Sequence, residues 1–114
     1  MKKQWNIRKA VLEDSLGLQN CMKSAYASYQ ERMGGQRLPP MDVDYLSEIS
    51  DYPSWVAEFN GNIIGGLIMK FENEYASIAN IAVHPEFQGQ GIGGGLMKFA
   101  ETKAKEKNDS ELRL

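Results

Sequence analysis

Residues 78–95, IANIAVHPEFQGQGIGGG, constrain the fold more than any other stretch of the chain. An apolar, strand-like run ends in a Pro-containing turn, and five glycines then fall within the seven residues 89–95. A helical pattern of Leu96, Met97, Phe99 and Ala100 follows at once. Glycine loses more backbone freedom on folding than any other residue, so this density has a purpose where the backbone itself must touch something. A strand, a Gly-rich turn and a helix start bring free amide hydrogens together at the positive end of a helix dipole. The stretch therefore reads as a turn that holds phosphate groups.

The remaining numbers bound the fold. A chain of 114 residues is expected to form a single domain, 1–114, with one modest core. A formal net charge of −2 offers no electrostatic case for nucleic-acid binding, which calls for a basic excess. One Cys and one His exclude an internal disulfide and argue against a zinc site. The start, MKKQW, is followed by no apolar run, and no segment has the roughly 20 apolar residues of a membrane span. These readings predict a protein of a reducing compartment, the cytoplasm, with no membrane partner.

In chain order, Trp5, Ile7 and then Lys9, Ala10 and Val11 predict a first strand. A helix is expected after Glu13 and Asp14, with Leu16, Leu18, Cys21, Met22, Ala25 and Tyr29 on its apolar face. Cys21 reads as a core filler, since no nucleophile's partners accompany it. Gly34 and Gly35 break that helix, and the stretch 26–41 reads as a loop rich in Tyr, Gln, Arg and Met that shapes a binding site. A short helix is predicted over 41–49. Residues 54–59, 63–69 and 75–83 predict a three-strand meander, with a hairpin at Asn60-Gly61-Asn62 and a turn at Glu72-Asn73-Glu74. Gly65 and Gly66 within the middle strand suggest a bulge or a close backbone approach. Trp55 and Phe59 read as core residues, and His84, beside Pro85, as a turn residue. The last helix is expected to start at Gly93 or Gly94 and to carry Ile92, Leu96, Ala100 and Ala104 on one stripe. Residues 111–114 then alternate like a new strand, which after a helix crossover runs parallel to its predecessor.

Three known patterns compete for the glycines. Gly89, Gly91 and Gly94 satisfy the dinucleotide spacing G-x-G-x-x-G, but five residues, 84–88, separate the first glycine from the strand. A P-loop fails because Gly95 and Leu96 follow Gly94 where Lys and Ser or Thr are needed. The whole stretch, Val83-His84-Pro85 and then Gln88-x-x-Gly91-x-Gly93 opening an amphipathic helix, resembles the acetyl-CoA signature of the GNAT superfamily of N-acetyltransferases. The resemblance is strong from about Trp55 onward, and the first half matches in its order of elements.

That resemblance implies an α/β (α+β) fold. Its mixed sheet is an antiparallel meander followed by a helix crossover to a parallel strand, with helices on both faces and the C-terminal part of the usual fold missing. It implies acetyl-CoA as co-substrate and transfer of its acetyl group to a primary amine on a small molecule or peptide. Gln88, Gly89, Gln90, Gly91, Ile92, Gly93 and Gly94 would hold the pyrophosphate, and the backbone of Ile81, Ala82 and Val83 would pair with the pantetheine arm. No catalytic residue is assigned. The strand before the signature offers Ser77, Ala79 and Asn80 where some family members carry a Glu base, Glu72 and Glu74 lie at its start, and the region that bears a Tyr acid in many members is not in this sequence. A sheet ending so early exposes an edge, and edges tend to pair, so a homodimer is one expected outcome. The competing function is a non-catalytic CoA-binding or interaction module built on the same fold.

Overall fold

The computed structural model describes residues 5–32, 34, 43–107 and 112–113, with the side chains of 29, 30 and 32 excepted. The first strand, β1 (Asn6–Lys9), is shorter than its apolar pattern because a single 3-10 turn, Leu12–Asp14, intervenes before α1 (Ser15–Arg32). Arg8 fixes this entry. Its Nη1 and Nη2 donate to both Asp14 oxygens at 2.8 and 2.9 Å, and Nη2 also reaches Glu58 at 2.8 Å. Asp14 Oδ2 accepts the Val11 amide as well, at 2.8 Å. The Arg8 hydrogen bonds hold the Asp14 carboxyl below the ordinary carboxylate range, against the opposing effect of burial.

Helix α1 buries Leu18, Cys21, Met22 and Ala25, as its periodicity predicts. Leu16 departs from the expectation at 67% exposed, since it shares the outer face with Asn20, Lys23 and Ala27. The Tyr29 side chain lies outside the described residues. The helix also runs through residue 26, so Tyr26 is a helical residue and not the start of a loop; residues 33 and 35–41 of that expected loop lie outside the description.

Helix α2 (Tyr45–Asp51) begins where Asp44 caps it, accepting from the Leu46 amide and the Ser47 hydroxyl at 3.1 Å each. The expected start at Met41 lies outside the described residues. Strands β2 (Ser54–Phe59) and β3 (Asn62–Phe71) form the predicted hairpin, its two-residue loop made by Asn60 at φ 51° and Gly61 at φ 79°. The turn at 72–75 leads to β4 (Ala76–Val83), a second 3-10 turn (Pro85–Phe87), α3 (Ile92–Glu106) and β5 (Leu112–Arg113).

The five strands lie in the order β1-β2-β3-β4-β5, all neighbours antiparallel except β4 and β5, which are parallel. This is the mixed sheet expected from a meander followed by a helix crossover. Alternation along the strands divides the apolar residues between two faces. Trp55, Ala57, Leu67, Met69 and Ile78 pack against Ile92, Leu96, Ala100 and Ala104 of α3. Val56 and Ile68 pack on the other face against Leu18 and Met22 of α1 and Tyr45 of α2. Phe59, expected in the core, is only partly buried at the edge of the α3 layer, where its ring lies 5.8 Å from that of Phe87.

Both glycines of β3 answer to close packing. A Cβ on Gly66 would stand 2.4 Å from Leu18 Cδ1 and 2.8 Å from Met22 Cε, so the absence of a side chain lets α1 rest directly on the sheet. One on Gly65 would lie 3.2 Å from the Ala82 carbonyl and 3.3 Å from Leu96 on the opposite face. The register also shifts beside them, between Ala57 and Glu58. Among the described residues no helix is long and apolar enough to cross a membrane.

Candidate functional site

The sheet opens in the middle of β4. Strand β5 pairs only with Ala76 and Ser77, so among the described residues nothing covers that edge of β4 beyond them. The pairing with β3 skips a residue at the same place: Asn80 opposes Ile68 and Ile78 opposes Met69, leaving Ala79 as a bulge. A bulge bends its strand and increases the local twist.

Beyond the bulge the backbone alternates regularly. The His84 amide donates to the Ile64 carbonyl at 2.8 Å, which places Ala82 in the next hydrogen-bonded pair with Gly66. Ile81 and Val83 therefore direct their backbone groups toward the open edge, whereas those of Ala82 are engaged with β3. The two edge carbonyls have side-chain donors: Tyr26 Oη lies 3.2 Å from the Ile81 oxygen, and Gln88 Nε2 donates to the Val83 oxygen at 3.2 Å.

The turn that follows is built in three steps. His84 caps the 3-10 turn, its Nδ1 accepting from the Glu86 amide at 3.2 Å, with Pro85 at the first position. This is the turn role read from the sequence. The Gln88 side chain then folds back onto the end of β4. Gly89 and Gly91 adopt φ of 81° and 84°, the left-handed region that glycine enters without strain. Gly91 is the N-cap of α3 and accepts the Gly95 amide at 2.9 Å, so α3 starts at Ile92, slightly before the expected glycines.

The amides of Ile92, Gly93 and Gly94 occupy the first turn, where a helix provides no acceptor, and among the described residues no backbone acceptor is recorded for them. The Ile92 side chain itself is buried in the α3 core, so that residue offers the site only its backbone. The five glycines of the run have distinct reasons. Gly89 and Gly91 serve the backbone turn, and a Cβ on Gly95 would lie 2.5 Å from Trp5 Cη2. A Cβ on Gly93 would meet only Val83 Cγ2, at 3.7 Å, and one on Gly94 nothing within 4 Å. Neither glycine is required by packing, and both lie in the first turn of α3.

On the α1 and α2 side of β4 lies a cluster that sequence reasoning missed. Tyr26 Oη donates to Asn80 Oδ1 at 2.5 Å, and Asn80 Nδ2 donates to Tyr45 Oη at 2.9 Å. Asn80 and Tyr45 are both buried, and burial pushes the Tyr45 phenol up to about 12. An Asn within the otherwise apolar run 78–83 was the available signal, since a buried amide demands partners. Cys21 lies beneath the same region, and burial raises its thiol to about 11, against a hydrogen bond from the His84 backbone. Such a thiol is inert at neutral pH, in keeping with a core role. Glu72 and Glu74 are exposed at the far end of β4 and take no part in this arrangement.

The geometry thus joins a glycine-rich helix start to a strand edge that no described residue pairs beyond Ser77. A sequence model of the acetyltransferase (GNAT) family matches residues 22–114. The chain belongs to the GNAT family of acetyltransferases. A search of curated proteins found no match, whereas many solved structures share the fold. The ribosomal-protein-alanine N-acetyltransferase of Brucella melitensis biovar Abortus 2308 is 24% identical with a TM-score of 0.70, over 97% of this chain and 79% of its own. The PaiA N-acetyltransferase of Thermoplasma acidophilum, solved with coenzyme A, is 21% identical with a TM-score of 0.76, over 92% of this chain and 74% of its own. A GNAT acetyltransferase of Brucella melitensis, solved with acetyl-CoA, is 18% identical with a TM-score of 0.70, over 96% of this chain and 74% of its own. Membership of the family makes acetyl transfer the chemistry of this GNAT chain.

Proposed function

We propose that this GNAT chain transfers an acetyl group from acetyl-CoA to a primary amine. The reading is supported most by one observation: the first-turn amides of α3, which a helix leaves without acceptors, adjoin a strand edge that no described residue pairs beyond Ser77. A ligand with an anionic pyrophosphate and a long amide-bearing arm suits both features at once. The amides of Gly89, Gln90, Gly91, Ile92, Gly93 and Gly94 would hold the pyrophosphate, helped by the helix dipole. The side chain of Gln88 would act from behind, locking the turn onto Val83. Ile81 and Val83 present their amides to the arm, and the role of Ala82 is to keep that edge registered on β3 through Gly66.

When bound, acetyl-CoA supplies an activated acetyl thioester. The chain supplies orientation, and an edge amide of β4 can polarise a carbonyl placed against it, as an oxyanion hole does. The acceptor would approach from the α1 and α2 side, where Tyr26, Tyr45 and Asn80 line the opened strand.

Calorimetry with acetyl-CoA, followed by a thiol-release assay over a panel of amines, tests this reading. Saturable binding at one site and amine-dependent release of free thiol are expected. Failure to bind acetyl-CoA overturns it, and binding with no release on any amine overturns the transfer step.

A further inference from the structure

The end of the sheet remote from the glycine-rich turn gathers lysines over aromatic rings. Lys9 closes β1 and pairs in register with Trp55, near the start of β2. Its Nζ stands 4.7 Å from the centre of the Trp55 ring. Lys103, near the end of α3, brings a second ammonium to the same indole at 5.9 Å, and to the Phe99 ring at 5.2 Å. Lys107, four residues on, lies 5.7 Å from the ring of Phe71. Attraction to the ring faces holds each of these charges near a fixed place.

Lys9, Lys103 and Lys107 all line one hollow of about 220 Å³. Pro53, Trp55 and Phe71 supply its apolar wall, and the described lining includes one carboxylate, that of Glu106. Glu106 lies 3.1 Å from Lys103 Nζ, in an exposed pair of a kind that contributes little stability. A larger hollow of about 560 Å³, which shares Pro53, Phe71 and Lys107, gives the contrast. Among its described residues Lys70 and Lys107 are matched by Asp51 and Glu72. The smaller hollow keeps a surplus of cations.

Two simpler roles leave that surplus unexplained. Cations suit the C-terminal end of a helix, which accounts for Lys103 and for the exposed Lys105, but Lys9 comes from a strand. Lysine stems also cover aromatic surface, yet one ammonium over Trp55 would serve, and two repel each other. An anion between like charges relieves their repulsion, and an apolar wall that displaces water strengthens the attraction.

We propose that this hollow is a binding site for a small polyanion, either a polycarboxylate or a phosphate compound, bridging Lys9, Lys103 and Lys107. Its volume falls below the roughly 300–1,000 Å³ of sites that take drug-sized ligands, so the occupant is compact. The cations come from a strand and from successive turns of a helix, so several anionic groups match them better than one. Lys103 stands roughly 16 Å along α3 from Ile92, at about 1.5 Å per residue. The site is thus clear of the glycine-rich turn, and the proposal holds whatever that turn binds.

The test uses the full chain, 15N-labelled, at an ionic strength of about 0.1 M, where the Debye length is about 10 Å. Citrate and inorganic pyrophosphate are the probes, with acetate as the monoanion and glycerol as the uncharged control. The reporters are the Trp55 indole N–H and the Lys103 amide, while the Gly93 amide marks any binding at the glycine-rich turn. Saturable shifts at Trp55 and Lys103 are expected with at least one polyanion, at concentrations roughly tenfold below those at which acetate acts. Lys9→Gln and Lys107→Gln should each weaken that binding about fivefold or more, and Lys105→Gln, outside the lining, should leave it unchanged. No saturable shift with either polyanion, saturation at Gly93 alone, or equal action by acetate would overturn the proposal. So would full affinity in both Lys9→Gln and Lys107→Gln, or an equal loss in Lys105→Gln.

Discussion

The two sides of the opened strand β4 are built in opposite ways. The turn at 84–91 and the start of α3 form a local site, drawn from consecutive residues and made mostly of backbone. The cluster of Tyr26, Asn80 and Tyr45 is non-local, with its two central bonds closing separations of 54 and 35 residues, and it is made of side chains. A backbone site tolerates many sequences so long as nothing protrudes into it. A side-chain site exists only while the core that positions it stays packed. The difference implies that substitutions in the turn will separate binding from stability, and that those in the cluster will not.

The largest effect is expected at Gly94, where an added Cβ meets no protein atom within 4 Å, in the helix turn proposed to hold the pyrophosphate. Gly94→Leu should weaken acetyl-CoA binding by roughly 100-fold, or about 2.7 kcal/mol, in calorimetry. Its melting temperature should hold or rise, because an exposed helical glycine is itself unfavourable. Retained affinity would break the comparison. Gly95, one residue on, serves as the internal control, since its added Cβ collides with Trp5. Gly95→Leu should destabilise the fold by about 2–3 kcal/mol through overpacking, measured by denaturant unfolding.

A smaller effect is expected in the cluster. Asn80→Ala removes the donor of the 2.9 Å bond to the buried Tyr45 hydroxyl, while Tyr26 keeps the Ile81 carbonyl within reach. A loss of about 1–2 kcal/mol is expected in denaturant unfolding, the worth of a buried hydrogen bond. Full stability with altered amine kinetics would instead show that the cluster is organised like the turn. The smallest effect lies far from both sites, at Asp14. Its carboxyl is lowered in the folded state, chiefly by the Arg8 hydrogen bonds, so the stability it contributes is complete above the ordinary value of 3.8 and is lost as pH falls through the lower folded value. Melts of the native chain and Asp14→Asn should therefore differ near neutral pH and converge in strong acid.

Most of the architecture was legible because its signals are local. Period-2 alternation marked three strands, Asn60 and Gly61 marked the hairpin, and the spacing of Ile92, Leu96, Ala100 and Ala104 marked the buried stripe of α3. The glycine-rich turn was readable for the same reason, since glycine content and helix start are properties of neighbouring residues.

What the chain's linear order could not reveal was decided by packing. The bulge at Ala79 comes from the register between β3 and β4, which is set by two strands together. The exposure of Leu16 depends on which face of α1 meets the sheet, and the division of the glycines among turning, packing and open space depends on where Trp5 and Val83 lie. Tyr26, Tyr45 and Asn80 come from two helices and a strand, and only the closure of α1 and α2 over β4 makes them neighbours. Sequence by itself determined the kind of sheet and the place of the glycine-rich turn, because backbone chemistry is encoded nearby. Tertiary structure decided the side-chain cluster beside β4, because a group of side chains is fixed by contacts between distant parts of the chain.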